Sequence, residues 1–247
     1  MTRLFRAELL KLSTTRTARG LFAAAVAITA LLAVATMLTA GDDGNAQLGS
    51  AGNLHNVIGG SGLASVLSLV LGIIGMAGEF RHGTVTGTFL ASPDRGRVVA
   101  VKLGAYALAG LGLALVTALV GLAIVLPWLA VKGVHLDLVN LEVGRALAGT
   151  LLAGALYGTA GVAIGALFRN QVAAVVVTLA WTQFVELGVL ASVFPKVARW
   201  LPMGAAAAIT NPGWPRLSMW AGALLFAGYA LVMAAAGTRF VVRRDIT

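Results

Sequence analysis

The residue types that could do chemistry are few here and widely spaced. Ser61 sits in Gly59-Gly60-Ser61-Gly62, the small-residue setting of an intramembrane nucleophile, but such a serine needs a histidine base on a later membrane segment to take its proton. The three histidines, His55, His82 and His135, lie in or beside loops, so serine hydrolysis is excluded. His135 with Asp137, and the Asp42-Asp43 pair, offer too few ligands for a zinc or calcium site, and no metal is expected. The chain has no cysteine, hence no thiolate site and no disulfide. It also lacks a Gly-x-x-x-x-Gly-Lys-Ser/Thr loop, so it cannot cradle nucleotide phosphates in that way. The expectation is a protein that is not itself an enzyme and binds no cofactor of its own.

Two other polar groups stand out. Glu186, with Thr182 and Gln183 within one turn, falls inside an apolar run, where a charge costs about 2.5 to 3.5 kcal/mol. It must therefore face a cavity, a partner or a wet boundary, which leaves a substrate path and a structural hydrogen bond both open. The second group is Glu79-Phe80-Arg81-His82-Gly83-Thr84, continuing through Thr88 to Ser92-Pro93. Its spacing suits a short helix with a proline stop at a membrane surface, and equally a simple solvated connection.

The elements that must position these residues are membrane helices. Of 247 residues, 59% are hydrophobic and 11% charged, which excludes an ordinary soluble surface. Six apolar runs, about 20–40, 57–78, 99–126, 143–167, 172–194 and 218–238, are each long enough to cross a hydrocarbon core of about 30 Å as helices. Their continuity excludes barrel strands, which would alternate with polar residues every second position. The first run is read as a retained span, without a signal-peptide cleavage site. The chain is thus expected to be one all-α transmembrane domain over 1–247.

The net charge of +9 lies in short clusters beside these runs, which reads as topology signal and contact with anionic lipid rather than as a nucleic-acid surface. With both termini inside, thirteen of the eighteen Lys and Arg fall on the inner side. Trp128, Trp200, Trp214 and Trp220 then mark the outer boundary. Before the first run, residues 1–19 form an interfacial helix with Phe5, Leu9 and Leu12 on one face and Glu8 and Lys11 among its polar residues. The stretch 195–217 is apolar but broken by four prolines, so it is expected as short re-entrant or interfacial helices. Gly72, Gly75 and Gly78, and the pairs Gly154 with Gly158 and Gly161 with Gly165, predict close helix contacts, within one chain or across a dimer.

An ordered set of residues resembles a known family. Glu79-x-Arg81-x-Gly83-Thr84, then Ser92-Pro93-x-Arg95-x-Arg97 leading to Lys102, is similar to the loop after the second span of ABC-type-two transporter permeases, especially the short bacterial ones. Glu8-Leu9-Leu10-Lys11-Leu12-Ser13-Thr14-Thr15-Arg16 resembles their N-terminal connecting helix, and Arg243-Arg244-Asp245 their basic ending. Trp181, Val185-Glu186 and Trp200-Leu201-Pro202 are also similar, with Leu187 where proline often follows that glutamate.

The resemblance covers essentially the whole chain. It implies a permease of the bacterial cell membrane that pairs with a second permease, identical or not, and binds two copies of a cytoplasmic ATP-binding cassette ATPase, which would hold the ATP and magnesium. Residues 79–98 would be the coupling loop, with Glu79, Arg81, His82, Gly83, Thr84 and Thr88 facing that ATPase. The implied function is export of a hydrophobic or amphipathic compound, such as a drug, antibiotic, peptide or lipid. The rival expectation is a six-span regulatory or assembly partner that transports nothing.

Overall fold

A computed structural model describes residues 2–39, 58, 62–84, 87, 90, 94–133, 141–168, 170–210 and 217–243. Among these residues the chain is all-helical, and six helices are long and apolar enough to cross a membrane, which marks a multi-pass membrane protein. In chain order the elements are α1 (Thr2–Thr14), α2 (Arg16–Thr39), α3 (Leu63–Arg81), α4 (Arg95–Val131), α5 (Leu141–Phe168) and α6 (Gln171–Ala180). The last of these continues as a π-helical segment, Trp181–Leu190, and a final turn, Ala191–Val193. Two short helices follow, α7 (Pro195–Ala198) and α8 (Pro202–Thr210), and then α9 (Met219–Arg243).

Two helices run beyond the apolar runs that announce them. The α3 helix continues past Gly78 through Glu79, Phe80 and Arg81 before turning at His82 and at Gly83, whose φ of 68° is the left-handed conformation that favours glycine. The α4 helix starts at Arg95 because the Asp94 side chain accepts from Arg97 N at 3.0 Å, and it passes through Pro127 to Val131. At 37 residues it is about 55 Å long, more than a bilayer core, so part of it stands clear of the hydrocarbon. The connection between the two spans is correspondingly shorter than 79–98. Thr84, Gly87 and Leu90 within it are helical.

The centre of the bundle is α5, which packs against α3, α4 and α9. No net hydrophobic force draws apolar helices together in lipid, so close backbone approach has to hold them. Glycine provides it: a Cβ on Gly154 would overlap the Gly110 carbonyl of α4, and a Cβ on Gly161 would overlap Leu69 and Gly72 of α3. The glycine pairs of α5 therefore make their contacts inside one chain. The span from Gln171 to Val193 is instead peripheral, with Val172, Val176, Phe184 and Val189 on its open face.

Candidate functional site

At one end of the bundle four charged side chains from three helices close into a ring. Lys102 Nζ, on α4, donates to Glu8 Oε2 of α1 at 2.8 Å and to Glu79 Oε1 of α3 at 2.8 Å. Lys11 Nζ, one turn after Glu8 on α1, donates to Glu8 Oε1 at 2.8 Å and to the same Glu79 Oε1 at 2.8 Å. Each cation thus touches both carboxylates, and the ring is neutral as a whole. A lysine ammonium has three donors; the third of Lys102 points at the Gly75 carbonyl, 3.5 Å away and one turn before Glu79 on the same face of α3.

Burial differs sharply around the ring. The Lys102 side chain is 1% exposed and Glu8 2%, while Glu79 is 11% and Lys11 47% exposed. The helix periods produce this arrangement: the polar pair Glu8 and Lys11 lies next to Leu9 and Leu12, which pack with Leu4 and Phe5 against Val98, Val99, Ala105 and Tyr106. The Tyr106 ring occupies the space where a side chain at Gly75 would stand. A desolvated lysine costs several kcal/mol, and only its carboxylate contacts offset that cost. At Lys11 burial acts to lower the pKa, but the hydrogen bonds and charges of Glu79 and Glu8 outweigh it and the net shift is upward.

The other sequence-predicted residues of this region are not in the ring. Arg81, His82 and Thr84 are exposed at the end of α3 and in the turn beyond it, and Thr88 lies outside the described residues. The structure therefore separates Glu79, held inward between α1 and α4, from Arg81 to Thr84, presented outward. Phe5, Leu9 and Leu12 form the packed face of α1. The sequence places Lys102 at the end of the motif that follows the second span but assigns it no partner; a lysine two turns into an apolar helix must find an acid, and Glu8 and Glu79 are the carboxylates that the topology brings to it.

A second polar site lies at the far end. Glu186 is 3% exposed and uses both carboxylate oxygens: Trp181 Nε1 donates to Oε1 at 2.5 Å, and Met203 N donates to Oε2 at 2.8 Å. The second bond caps α8 from outside, because Pro202 at its start has no N–H and Met203 supplies the next orphan donor. Tyr157 Oη lies 3.6 Å from Met203 Sδ, and its ring packs 4.8 Å from that of Phe226. Of the residues near Glu186 in sequence, Thr182 bonds its own helix at Thr178 O, 2.9 Å, and Gln183 is exposed on the outer face of the π segment.

Neither site joins a nucleophile to a base. Among the described residues no three His, Asp or Glu side chains converge as metal ligands. Ser61, His55, His135, Asp137, Asp42 and Asp43 lie outside the described residues. What the arrangement can do is mechanical: the ring locks α1 to the end of α3 and the start of α4, so a displacement of the connection between those two helices acts directly on a buried charge. No family model matches the sequence, and no curated protein matches it closely enough to count as a relative.

Proposed function

We propose that the chain is the membrane subunit of an ATP-driven transporter, an exporter of hydrophobic or amphipathic compounds powered by a separate cassette ATPase at the inner face of a bacterial cell membrane. In this reading both termini are cytoplasmic, α1 lies along the inner interface, and Arg81 to Thr88 form the surface on which two copies of the ATPase push. A second permease, identical or related, completes the path, with Thr182, Gln183 and Glu186 of the fifth span near it. The helices α7 and α8 dip back from the outer surface.

The observation that carries the proposal is the buried ring of Glu8, Lys11, Glu79 and Lys102 directly above the connection between the second and third spans. A connection that merely joined two spans would not need a desolvated lysine anchored to a third element. A lever does, because force applied to it must move helices rather than bend a loop. Closure of the ATPase would then shift α3 and α4 together and switch the bundle between two arrangements.

The test is isolation of the intact complex from the native membrane. Recovery of a cassette ATPase in equal amount, with transport-coupled hydrolysis lost in Arg81→Ala and reduced in Glu79→Ala, is the expected result. Recovery of the chain with no nucleotide-hydrolysing companion would favour the non-transporting assembly partner instead.

A further inference from the structure

The cavity beside the ring has the chemistry of a lipid site. About 480 Å³ of space opens between α1, α2 and α4, walled by Leu9, Leu12, Phe22 and Leu108, with Ser13 and Arg19 also in its lining. This volume lies within the roughly 300 to 1,000 Å³ of pockets that hold compact ligands. Gly112 lies in the wall with nothing within 4 Å of where its Cβ would be. Leu108 is half exposed, so the cavity is open laterally, toward the surroundings of a membrane helix.

We infer that this cavity holds one acyl chain of an anionic phospholipid from the leaflet that meets α1, with the phosphate on Arg19. The chain chemistry follows from the walls, which are mostly aliphatic and aromatic, with Ser13 and Arg19 the polar residues among them. The charge follows from Arg19, whose guanidinium is oriented by a 2.9 Å bond to Thr14 O, and from Arg16, exposed one turn before it. A guanidinium fork beside a largely apolar slot complements a phosphate joined to a hydrocarbon chain. Occupancy fills the space against Leu9 and Leu12 of α1, the helix that carries Glu8 and Lys11. The inference rests on the membrane placement of the helices and not on the transport reading.

Full-length protein in nanodiscs of phosphatidylcholine, with and without phosphatidylglycerol, tests this by native mass spectrometry and by photo-crosslinking with a diazirine-tailed phosphatidylglycerol. Retention of one phosphatidylglycerol is expected at about fivefold over phosphatidylcholine, the preference that one basic side chain confers near an anionic headgroup. Crosslinks should map to peptides around Leu9 and Leu108 in the unmodified protein. Gly112→Phe should abolish retention of either lipid, whereas Arg19→Gln should leave retention but erase the preference. Equal retention of both lipids by the unmodified protein, or full retention in Gly112→Phe, would overturn the assignment. So would protection of Arg19 by glycerol phosphate alone, which would make this a free-anion site. Because the chain has no cysteine, Leu108→Cys can report a competing occupant: disulfide-linked dimers in nanodiscs would assign the cavity to a second copy of the chain.

Discussion

Glu8 and Glu186 are both buried acids in a bundle solvated by lipid, and they are kept there in different ways. Glu8 sits among charges, with Lys102 drawn from 94 residues away and Lys11 from the next turn. Glu186 sits among neutral donors, the Trp181 indole and the Met203 amide. In the first case the buried members depend on one another, since removing Lys102 leaves an uncompensated charge in a dry place. In the second the donors are dipoles that lose a partner without becoming ions. A charge ring therefore fixes register among distant helices, whereas a carboxylate on neutral donors fastens one local feature, here the start of α8.

The sharpest way to break that comparison is Lys102→Met. It leaves Glu8 buried beside Glu79 with only half-exposed Lys11 to balance both, and a loss of about 3 to 5 kcal/mol of stability is expected. Thermal or denaturant unfolding in detergent reads it. Adding Glu8→Leu to Lys102→Met removes one charge of each sign and leaves the Lys11–Glu79 pair. Most of the loss should then return, and the coupling from the double-mutant cycle should be of the same order as the single loss. If the double variant is as unstable as the sum of the singles, the ring is not a unit.

The next effect is smaller and local. Glu186→Ala removes the acceptor of two hydrogen bonds and is expected to cost about 1 to 3 kcal/mol, with Met203 N–H exchanging faster than its neighbours in α8. Glu186→Gln keeps one carbonyl oxygen and should lose about half of that, because its amide nitrogen cannot accept from the second donor. A Gln variant as damaged as the Ala variant would mean that the negative charge matters, and the contrast with the ring would disappear.

How much of this was legible beforehand depends on where each signal resides. The six spans are carried by composition over windows of about twenty residues, and the helices fall on those runs. Their ends are less so: Asp94 caps α4 through a local contact three residues on, whereas Lys102 holds Glu79 at the end of α3 from 23 residues away. The spacing of Gly154 and Gly158 announced close packing but could not identify the neighbouring helix; the Gly110 and Tyr106 backbones decide that. Glu186 was visible as an acid in an apolar run. Its partner was not, because a backbone N–H freed by Pro202 leaves no mark beyond the proline itself. The π-helical stretch from Trp181 to Leu190 was equally hidden: its widened turn lets Trp181 and Glu186, five residues apart, meet on one side, and no composition rule predicts it.

The smallest effect separates the wet edge of the ring from its dry centre. Lys11 shares both carboxylates with Lys102 but is half exposed, so water screens its contacts, and Lys11→Ala should cost about 1 kcal/mol or less. Its raised pKa fixes the sign of the pH dependence. The group binds its proton more tightly folded than unfolded, so its contribution is fully present below the unfolded value of 10.5 and fades as pH rises through the higher folded value. Unfolding of the native chain should therefore become easier above about pH 10.5, and Lys11→Ala should flatten that alkaline slope while leaving stability at neutral pH little changed. A variant that keeps the slope unaltered would move the titrating group elsewhere. One that loses as much stability as Lys102→Met would show that the ring has no wet edge, and that all four charges are held as tightly as the lysine at its centre.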